Sequence, residues 1–383
     1  MSDVDENKID LPPLSFEICP ESDGERKKRI EIEKLIVDNP DGRIPLNALQ
    51  ELALSDFGLV NDDLRRVLWP QLAGVDVTNL ERVPTLDELQ SHPEFHQVLL
   101  DVNRSLKRFP PGIPYEQRIA LQDQLTVLIL RVIKKYPNLR YYQGYHDVAV
   151  TFLLVAGEEV AFAIMEQLST THFSECMQET MEATQRRLMF IWPIVLFEQP
   201  ELFHFLQRSS VGTLFALPWY LTWFGHSLNS YKAVVRLYDY FLASPMYTPI
   251  FVTAAILLHR SNVILQEDCD MASVHCLLSK LPDDLPFEDI LVNSSKLYDK
   301  YSLTVIEKKV EELIQKEKEQ RKLEEERRIN YRRSCSSKSN YNVSKWFLSV
   351  LTPKSVMMTT AVSIVVGICA YYYKNQYLAA GIS

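Results

Sequence analysis

Two polar side chains in this sequence have the types and surroundings that phosphoryl-transfer chemistry needs. Arg104 lies in the stretch 94–108, where apolar residues recur at helical spacing. At roughly 100° per residue it falls opposite the apolar stripe, so we expect it to point away from the core. Gln143 lies in a turn between two apolar segments and directly precedes one of only 11 glycines. A guanidinium neutralises charge on a transferring phosphoryl group and a carboxamide orients an attacking water, and GTP hydrolysis uses both.

The neighbours of these two side chains suit the same role. Asp101 precedes Arg104 by three residues, near enough on a helix surface to hold the guanidinium in one direction. Gly144 lets the backbone turn closely after Gln143, and nearby tyrosines, Tyr141 among them, could wall in the amide. Each feature also has an ordinary explanation. An exposed ion pair contributes little to stability, and a polar residue in a loop needs no function.

The chain offers no loop for binding a nucleotide of its own. Its closest glycines, such as Gly212 and Gly225, lie thirteen residues apart, which excludes the glycine-rich loops that cradle phosphates. The formal net charge of -9 argues against a nucleic-acid partner. We therefore expect Arg104 and Gln143 to act on a nucleotide that another protein holds.

Two groups of metal-ligating residue types fit no zinc pattern. His92 and His96 have Pro93 where a zinc protease needs glutamate. Residues 268–276 contain acidic, cysteine and histidine side chains, but their spacing matches no zinc site and is typical of a polar loop that leads into a helix. The six cysteines include no CxxC pair. We expect no metal centre.

At the residues named first, the sequence resembles the TBC-domain Rab GTPase-activating proteins, over roughly half of the chain. The family pattern IxxDxxR appears as residues 98–104, and the pattern YxQG appears as residues 141–144. Residues 64–70 resemble the opening Arg/Trp segment of the family, and residues 217–224 resemble its later aromatic helix. The departures are Val98 for isoleucine, His146 for the usual asparagine, Tyr238 for the usual tryptophan and Ser244 for glycine. Of these, His146 bears most on how the loop is fastened beneath Gln143.

The resemblance implies an all-α, V-shaped domain that works by a dual-finger mechanism. Arg104 would enter the active site of a Rab as an arginine finger, and Gln143 would orient the hydrolytic water in place of the Rab's own glutamine. Asp101 would brace Arg104, while Tyr141 and Gly144 would set the loop. The Rab would carry GTP and Mg²⁺, so this chain would need no cofactor and would turn over no substrate of its own.

Composition and periodicity divide the chain into segments. From about Leu46 to Leu303 apolar residues recur at three- and four-residue steps without long Val/Ile alternation, which predicts helices only. Thr85 and Glu88 form a capping box, and Pro70 is expected to close a helix. The predicted segments are a flexible arm (1–27), the helical TBC domain (28–303, with the motifs in about 58–247), a charged helical stalk (304–333), a flexible joint (334–354), a transmembrane tail anchor (355–373) and a short luminal tail (374–383).

One segment near the carboxyl end predicts a membrane span. Residues 355–373 run for nineteen positions without a charge, and as a helix they would measure roughly 28 Å, the thickness of the hydrocarbon core of a bilayer. Basic residues precede this segment and favour a cytosolic position for the large domain. Residues 240–258 form an equally long charge-free run, but Pro245 and Pro249 favour two short buried elements over a second span.

With this single span, the resemblance is to a family member anchored in the endoplasmic reticulum that acts on the Rab of reticulum-to-Golgi transport. We therefore expect a GTP-bound Rab and the lipid bilayer as partners, with the chain at the reticulum membrane and also at the Golgi. Two other functions stay open. One is a catalytically idle Rab-binding tether, and the other is a structural anchor whose charged helix 307–333 recruits a coiled-coil partner.

Overall fold

The computed structural model describes residues 21–39, 43–76, 82–105 and 114–350, and every regular element in these ranges is helical. This confirms the predicted all-α class. The first nine helices are α1 (Asp23–Asp38), α2 (Leu46–Leu54), α3 (Asp62–Ala73), α4 (Leu86–Leu89), α5 (Phe95–Ser105), α6 (Tyr115–Lys135), α7 (Tyr145–Ala156), α8 (Glu158–Thr170) and α9 (Glu182–Leu188). The next nine are α10 (Ile191–Glu198), α11 (Pro200–Ser209), α12 (Leu217–Leu221), α13 (Tyr231–Ala243), α14 (Thr248–His259), α15 (Ser261–Ile264), α16 (Met271–Ser279), α17 (Phe287–Lys300) and α18 (Leu303–Val350), with a 3₁₀ turn at Leu214–Ala216.

The chain divides into two compact units, one ending at Val310 and one beginning at Glu311. The first unit contains α1 to α17 and carries the motifs. Within it α5 packs against α6 and α7, and α3 packs against α7 and α13. Helix α7 is buried at nearly every position, because helices contact it on several sides. A buried α7 gives the loop before it a fixed base.

A buried ion pair joins α3 to α13. The side chain of Asp239 is fully buried, and Arg65 is 4% exposed. The Asp239 carboxylate accepts hydrogen bonds from Arg65 Nε at 3.0 Å, from Trp69 Nε1 at 2.7 Å and from the backbone N–H of Leu59 at 3.0 Å. These donors satisfy a charge that would otherwise be costly to bury. The Arg/Trp segment singled out from the sequence is thus part of the internal frame of the first unit.

Two predicted helix boundaries were wrong. Helix α1 begins at Asp23, inside the predicted flexible arm 1–27, because Ser22 and Glu25 form a capping box that starts the helix. Pro70 does not close α3, which continues to Ala73 and ends at Gly74 in the left-handed conformation (φ 68°). Proline removes one hydrogen bond of the helix, but Leu68, Trp69 and Leu72 around it are buried and hold the backbone in place. The capping box predicted at Thr85 is confirmed.

The predicted flexible joint 334–354 was also wrong over most of its length. Helix α18 runs from Leu303 to Val350 and includes the predicted charged stalk. The stretch from Leu303 to Val350 has no glycine or proline, so nothing in its backbone interrupts a helix. In the second unit, apolar Leu323 is 54% exposed and Ile329 is 38% exposed.

The two charge-free runs have different outcomes. Residues 240–258 are divided between α13 and α14, both largely buried, with a turn that contains Pro245, as predicted for core elements. Across the residues that the structure describes, no helix combines the length and the apolar character that a membrane crossing requires. The predicted span 355–373 and tail 374–383 lie outside the described residues.

Candidate functional site

The arginine of the first motif lies on the outer face of α5. Val98 and Val102 are fully buried on the inner face of this helix, while Arg104 in its last turn is exposed. This is the orientation predicted from the apolar stripe. Within the described part of the chain, the guanidinium of Arg104 makes no hydrogen bond or ion pair, so it is presented to whatever approaches this face.

The glutamine of the second motif is exposed between fastened neighbours. Tyr142 is 4% exposed, and its hydroxyl donates to the carbonyl of Leu221 at 2.8 Å. Tyr145 is fully buried, with its hydroxyl 2.6 Å from Ser169 Oγ. Leu221 belongs to the aromatic segment 217–224 that the sequence singled out. The side chain of Gln143 is therefore held out from a loop whose base cannot easily shift.

Gly144 is required by its backbone and by its surroundings. Its φ of 107° and ψ of −17° lie in a region that side chains rarely adopt. A Cβ atom at this position would lie 2.8 Å from Thr222 Cγ2, well inside van der Waals contact. The glycine thus allows the loop to pass close to the 217–224 segment and to enter α7 directly after Gln143.

Tyr141 joins the helix of Arg104 to the loop of Gln143. Its backbone N–H donates to Glu94 Oε2 at 3.1 Å, and its hydroxyl donates to Asp101 Oδ2 at 3.1 Å. The same carboxylate oxygen accepts a hydrogen bond from Gln97 Nε2 at 3.0 Å. Burial, followed by the charge of Asp101, raises the pKa of Tyr141 well above its usual value, so the phenol stays protonated. The supports of the two motifs are therefore in direct contact.

Asp101 has other hydrogen-bond partners than Arg104, the partner that the resemblance implies. Among the described residues, its carboxylate accepts from Gln97 and Tyr141 and receives nothing from Arg104. Helical side chains tilt towards the amino end of their helix, which turns Asp101 towards Gln97 and away from Arg104. A direct brace between Asp101 and Arg104 stays a prediction, while the brace between α5 and the loop is present.

Two histidines lie beside the loop: the sequence linked His146 to how the loop is fastened, but it did not indicate His226 as part of the site. His146 is 7% exposed, and its Nδ1 lies 2.8 Å from the Tyr141 hydroxyl. Its Nε2 lies 3.6 Å from Asp147 Oδ1, while Asp147 Oδ2 lies 2.9 Å from Nδ1 of His226. Burial lowers the pKa of His146, although Asp147 and Asp101 oppose the shift. The signal available was the pair His146-Asp147 directly after the loop, but its partner His226 is remote in sequence.

No group of three or more histidine, cysteine or acidic side chains in the described ranges is arranged to hold a metal ion. The exposed polar side chains of the two motifs, Arg104 and Gln143, and the half-exposed His226 beside the loop can instead meet an anionic ligand or a bound water supplied by a partner.

The chain is similar to proteins of known family. Residues 62–265 match the model of the Rab-GTPase-TBC domain. The chain is 45% identical over 274 residues to TBC1 domain family member 20 of Homo sapiens, covering 71% of this chain and 67% of that protein. It is 29% identical over 253 residues to GTPase-activating protein gyp10 of Schizosaccharomyces pombe, covering 65% of this chain and 67% of that protein.

A solved structure shares the fold at low sequence identity. The Ypt/Rab-GAP domain of Gyp1p superposes with a TM-score of 0.58 at 16% identity, covering 72% of this chain and 98% of that domain. At this identity the likeness shows the fold alone. Since the family model spans more than half of the chain and the human relative is matched over two thirds of its length, the chain belongs to the Rab-GTPase-TBC domain family.

Proposed function

We propose that the chain is a GTPase-activating protein for a Rab-family small GTPase and supplies Arg104 and Gln143 in trans. One observation carries the proposal: both side chains are exposed, while their supports Asp101 and Tyr141 are joined by a hydrogen bond of 3.1 Å. Because their supporting residues are joined, the exposed side chains of Arg104 and Gln143 can reach one external nucleotide. The fission yeast relative is named a GTPase-activating protein, which supports the same function.

The two side chains would divide the chemistry. Arg104 neutralises charge that develops on the γ-phosphoryl group, and Gln143 orients the attacking water. The Rab would bring GTP and Mg²⁺, so this chain contributes no cofactor and consumes no substrate of its own. An arginine finger accelerates GTP hydrolysis by roughly 10³ to 10⁵, which corresponds to about 4 to 7 kcal/mol of the barrier.

The test is a hydrolysis screen of the full chain against a panel of GTP-loaded Rabs under single-turnover conditions. We expect at least one Rab to be accelerated, and we expect Arg104→Ala to return that Rab to within about tenfold of its intrinsic rate. Arg208→Ala is the matched control, because Arg208 is an exposed arginine at the end of α11. No acceleration of any Rab, or full activity in Arg104→Ala, would contradict the proposal.

The rival function is a Rab-binding tether without catalysis. The same exposed face could recognise an active GTPase and leave its hydrolysis rate unchanged. Binding of a GTP-loaded Rab with no acceleration would favour the tether. The exposed Gln143 and Arg104 favour catalysis, because recognition alone needs neither side chain in this arrangement. A structural anchor that pairs through 307–333 as a coiled coil is a weaker candidate, since Leu323 and Ile329 are too sparse for a sustained seam.

We further propose that residues 355–373 anchor the chain in the reticulum membrane, with the large domain cytosolic and regulating transport towards the Golgi. The charge-free length of this segment supports the anchor. Confinement to one surface would raise the effective concentration of the chain and a lipidated Rab. Fractionation of cells that express the full chain should recover it with reticulum membranes after alkaline extraction. Replacing two central residues, Val365 and Val366, by lysine should release it.

A further inference from the structure

The hydroxyl of Tyr141 has two partners but only one proton. It lies 3.1 Å from Asp101 Oδ2 and 2.8 Å from His146 Nδ1. A carboxylate oxygen can only accept, so the phenolic proton belongs to the bond with Asp101. The contact with His146 then needs its proton on the nitrogen. This geometry assigns to His146 the tautomer that carries hydrogen on Nδ1, donating to the tyrosine oxygen.

The charged groups around His146 leave this assignment in place. Asp101 faces the imidazole from α5, Asp147 lies on α7 itself, and His226 approaches from the loop after α12. The Nε2 atom is 3.6 Å from Asp147 Oδ1, which is too long for a hydrogen bond. Asp147 is instead engaged with His226 at 2.9 Å. Stacking of the rings of Tyr141 and His146, with centroids 6.5 Å apart and planes 30° apart, adds a second restraint.

We propose that His146 is a positioning residue for GTP hydrolysis: its Nδ1–H fixes the Tyr141 hydroxyl on Asp101 and thereby locks the loop of Gln143 to the helix of Arg104. The inference rests on the proposed function. Because His146 is buried and contacts the Tyr141 hydroxyl, we expect it to act through Tyr141 and not through direct contact with the Rab.

The expected effect on the hydrolysis rate follows from how near Tyr141 lies to Gln143 along the chain. Tyr141 precedes Gln143 by two residues, so a ring held at both the α5 carboxylate and His146 also restrains the backbone that carries the amide. Without the histidine donor, the hydroxyl keeps only the bond to Asp101 and can swing about it. A misplacement of roughly 1 Å costs on the order of 10²-fold in rate when a catalytic group must be oriented. Affinity for the Rab depends on the exposed surface and should change little.

Three substitutions at His146 separate a positioning role from a merely structural one. In His146→Asn the amide Nδ2 occupies nearly the same place as Nδ1 and can donate the same bond. In His146→Gln the donor lies one bond farther out, at the place of Nε2. His146→Leu keeps much of the volume and removes the donor. His204→Leu is the matched control, because His204 is an exposed histidine on α11.

The measurement is kcat and KM of the full chain on the GTP-loaded Rab that responds most strongly in the panel. We expect His146→Leu and His146→Gln to lower kcat by about 10- to 100-fold, with KM within about threefold of wild type. His146→Asn should stay within about threefold of wild type for both constants, and His204→Leu should match wild type. Tyr141→Phe removes the bond to His146 and also the bond to Asp101, so it should lower kcat at least as much. Combined with His146→Leu its effect should be less than additive, since both substitutions remove the bond between Tyr141 and His146.

Two results would overturn the inference while leaving the proposed function intact. One is wild-type kcat in His146→Leu with a wild type that accelerates the Rab, and the other is equal rescue by His146→Gln and His146→Asn. If the wild-type chain accelerates no Rab, the proposed function itself fails. Nitrogen-15 NMR of labelled histidines reads the bond without any hydrolysis: we expect the Nδ1–H tautomer at His146, and an Nε2–H tautomer would contradict it.

Discussion

At the residue scale, the two candidate catalytic groups share one arrangement: each is an exposed side chain whose supporting neighbours are buried. Arg104 is exposed and Asp101, one turn earlier on α5, is 2% exposed. Gln143 is exposed between buried Tyr142 and Gly144. Exposure would let a partner's nucleotide reach Arg104 and Gln143. Burial of the neighbouring residues limits the conformations that these two side chains can adopt. Preorganisation of this kind is what an electrostatic contribution to a transition state requires.

Replacing Gln143 tests the proposed role of its amide in orienting the attacking water. We expect Gln143→Ala to abolish acceleration of a Rab that lacks its own glutamine, because no other amide would orient the water. Stability should stay within about 0.5 kcal/mol of wild type, since the side chain is exposed. Single-turnover hydrolysis measures the loss. Gln167→Ala, at an exposed glutamine on α8, is the control, and full activity of Gln143→Ala on that Rab would show that the amide has another role.

Replacing Gly144 tests the conformation of the loop. Gly144→Ala should destabilise the fold by about 1 to 3 kcal/mol through its backbone angle, with a further cost from the contact with Thr222. Thr222→Ser removes the Cγ2 atom and keeps the hydroxyl that binds Pro218 O and His226 N. The double variant should therefore recover part of the lost stability in urea unfolding. If it recovers none, the contact is not what makes the alanine costly.

The sequence predicts the direction of the helical residue Arg104 better than it predicts the contacts of the residues around the Gln143 loop. The outward direction of Arg104 follows from the apolar stripe of α5, because helical geometry converts spacing into direction. The roles of Tyr141 and Gly144 come from a short motif. The bond between Tyr141 and His146 could not be predicted, since it depends on the turn at Gly144 folding the chain back by five residues. The approach of His226 to Asp147 depends on tertiary packing alone.

At the element scale, the buried junction between α3 and α13 holds the frame on which the site is built. Asp239 on α13 receives donors from Arg65 and Trp69 on α3 and from the backbone of Leu59. Helix α3 also contacts α7, which begins directly after the Gln143 loop. The junction therefore fixes a helix that in turn supports α7.

Asp239→Asn measures what this junction contributes. The amide has nearly the shape of the carboxylate, but it removes the buried one of the two carboxylates that pair with the guanidinium of Arg65, the other being Asp62, and places an N–H₂ among donors. We expect a loss of about 3 to 5 kcal/mol in the free energy of unfolding. Urea denaturation would measure it, with Asp284→Asn at an exposed position as the control. A loss below about 1 kcal/mol would mean that the pair is replaceable.

Elements were predicted better than the contacts between them. Helical periodicity is local, so the all-α class and the capping box at Thr85 followed from short stretches of sequence. The pairing of Arg65 with Asp239 spans 174 residues and leaves no local signal. Pro70 was misjudged because its cost to a helix is local, whereas the burial of Trp69 beside it is a property of the whole core.

At the scale of the whole molecule, the partly buried His172 makes stability depend on pH. His172 packs against Trp223, with ring centroids 5.6 Å apart, and in the described residues its Nε2 has no hydrogen-bond partner. Burial lowers the pKa of His172 from 6.5 to about 4. The unfolded chain therefore binds the proton first as the pH falls, and folding stability decreases between about pH 6.5 and about pH 4.

The size of this effect is about 3 kcal/mol, from the difference between the two pKa values. His172→Phe keeps an aromatic ring against Trp223 and cannot be protonated. The difference in unfolding free energy between wild type and His172→Phe should therefore shift by that amount as the pH falls from 7 to 4, and subtraction removes contributions that both proteins share. Urea unfolding at several pH values measures it, and a difference that does not vary with pH would place His172 in contact with water.

The phenol of Tyr141 also has a consequence for kinetics. The hydroxyl oxygen of Tyr141 contacts both Asp101 on α5 and His146 at the start of α7. A displacement of either helix should therefore displace the other. If Arg104 and Gln143 moved independently, their engagement with a docked nucleotide would show two relaxation phases. Because Tyr141 couples the segments that carry them, the two side chains should engage together, in one phase.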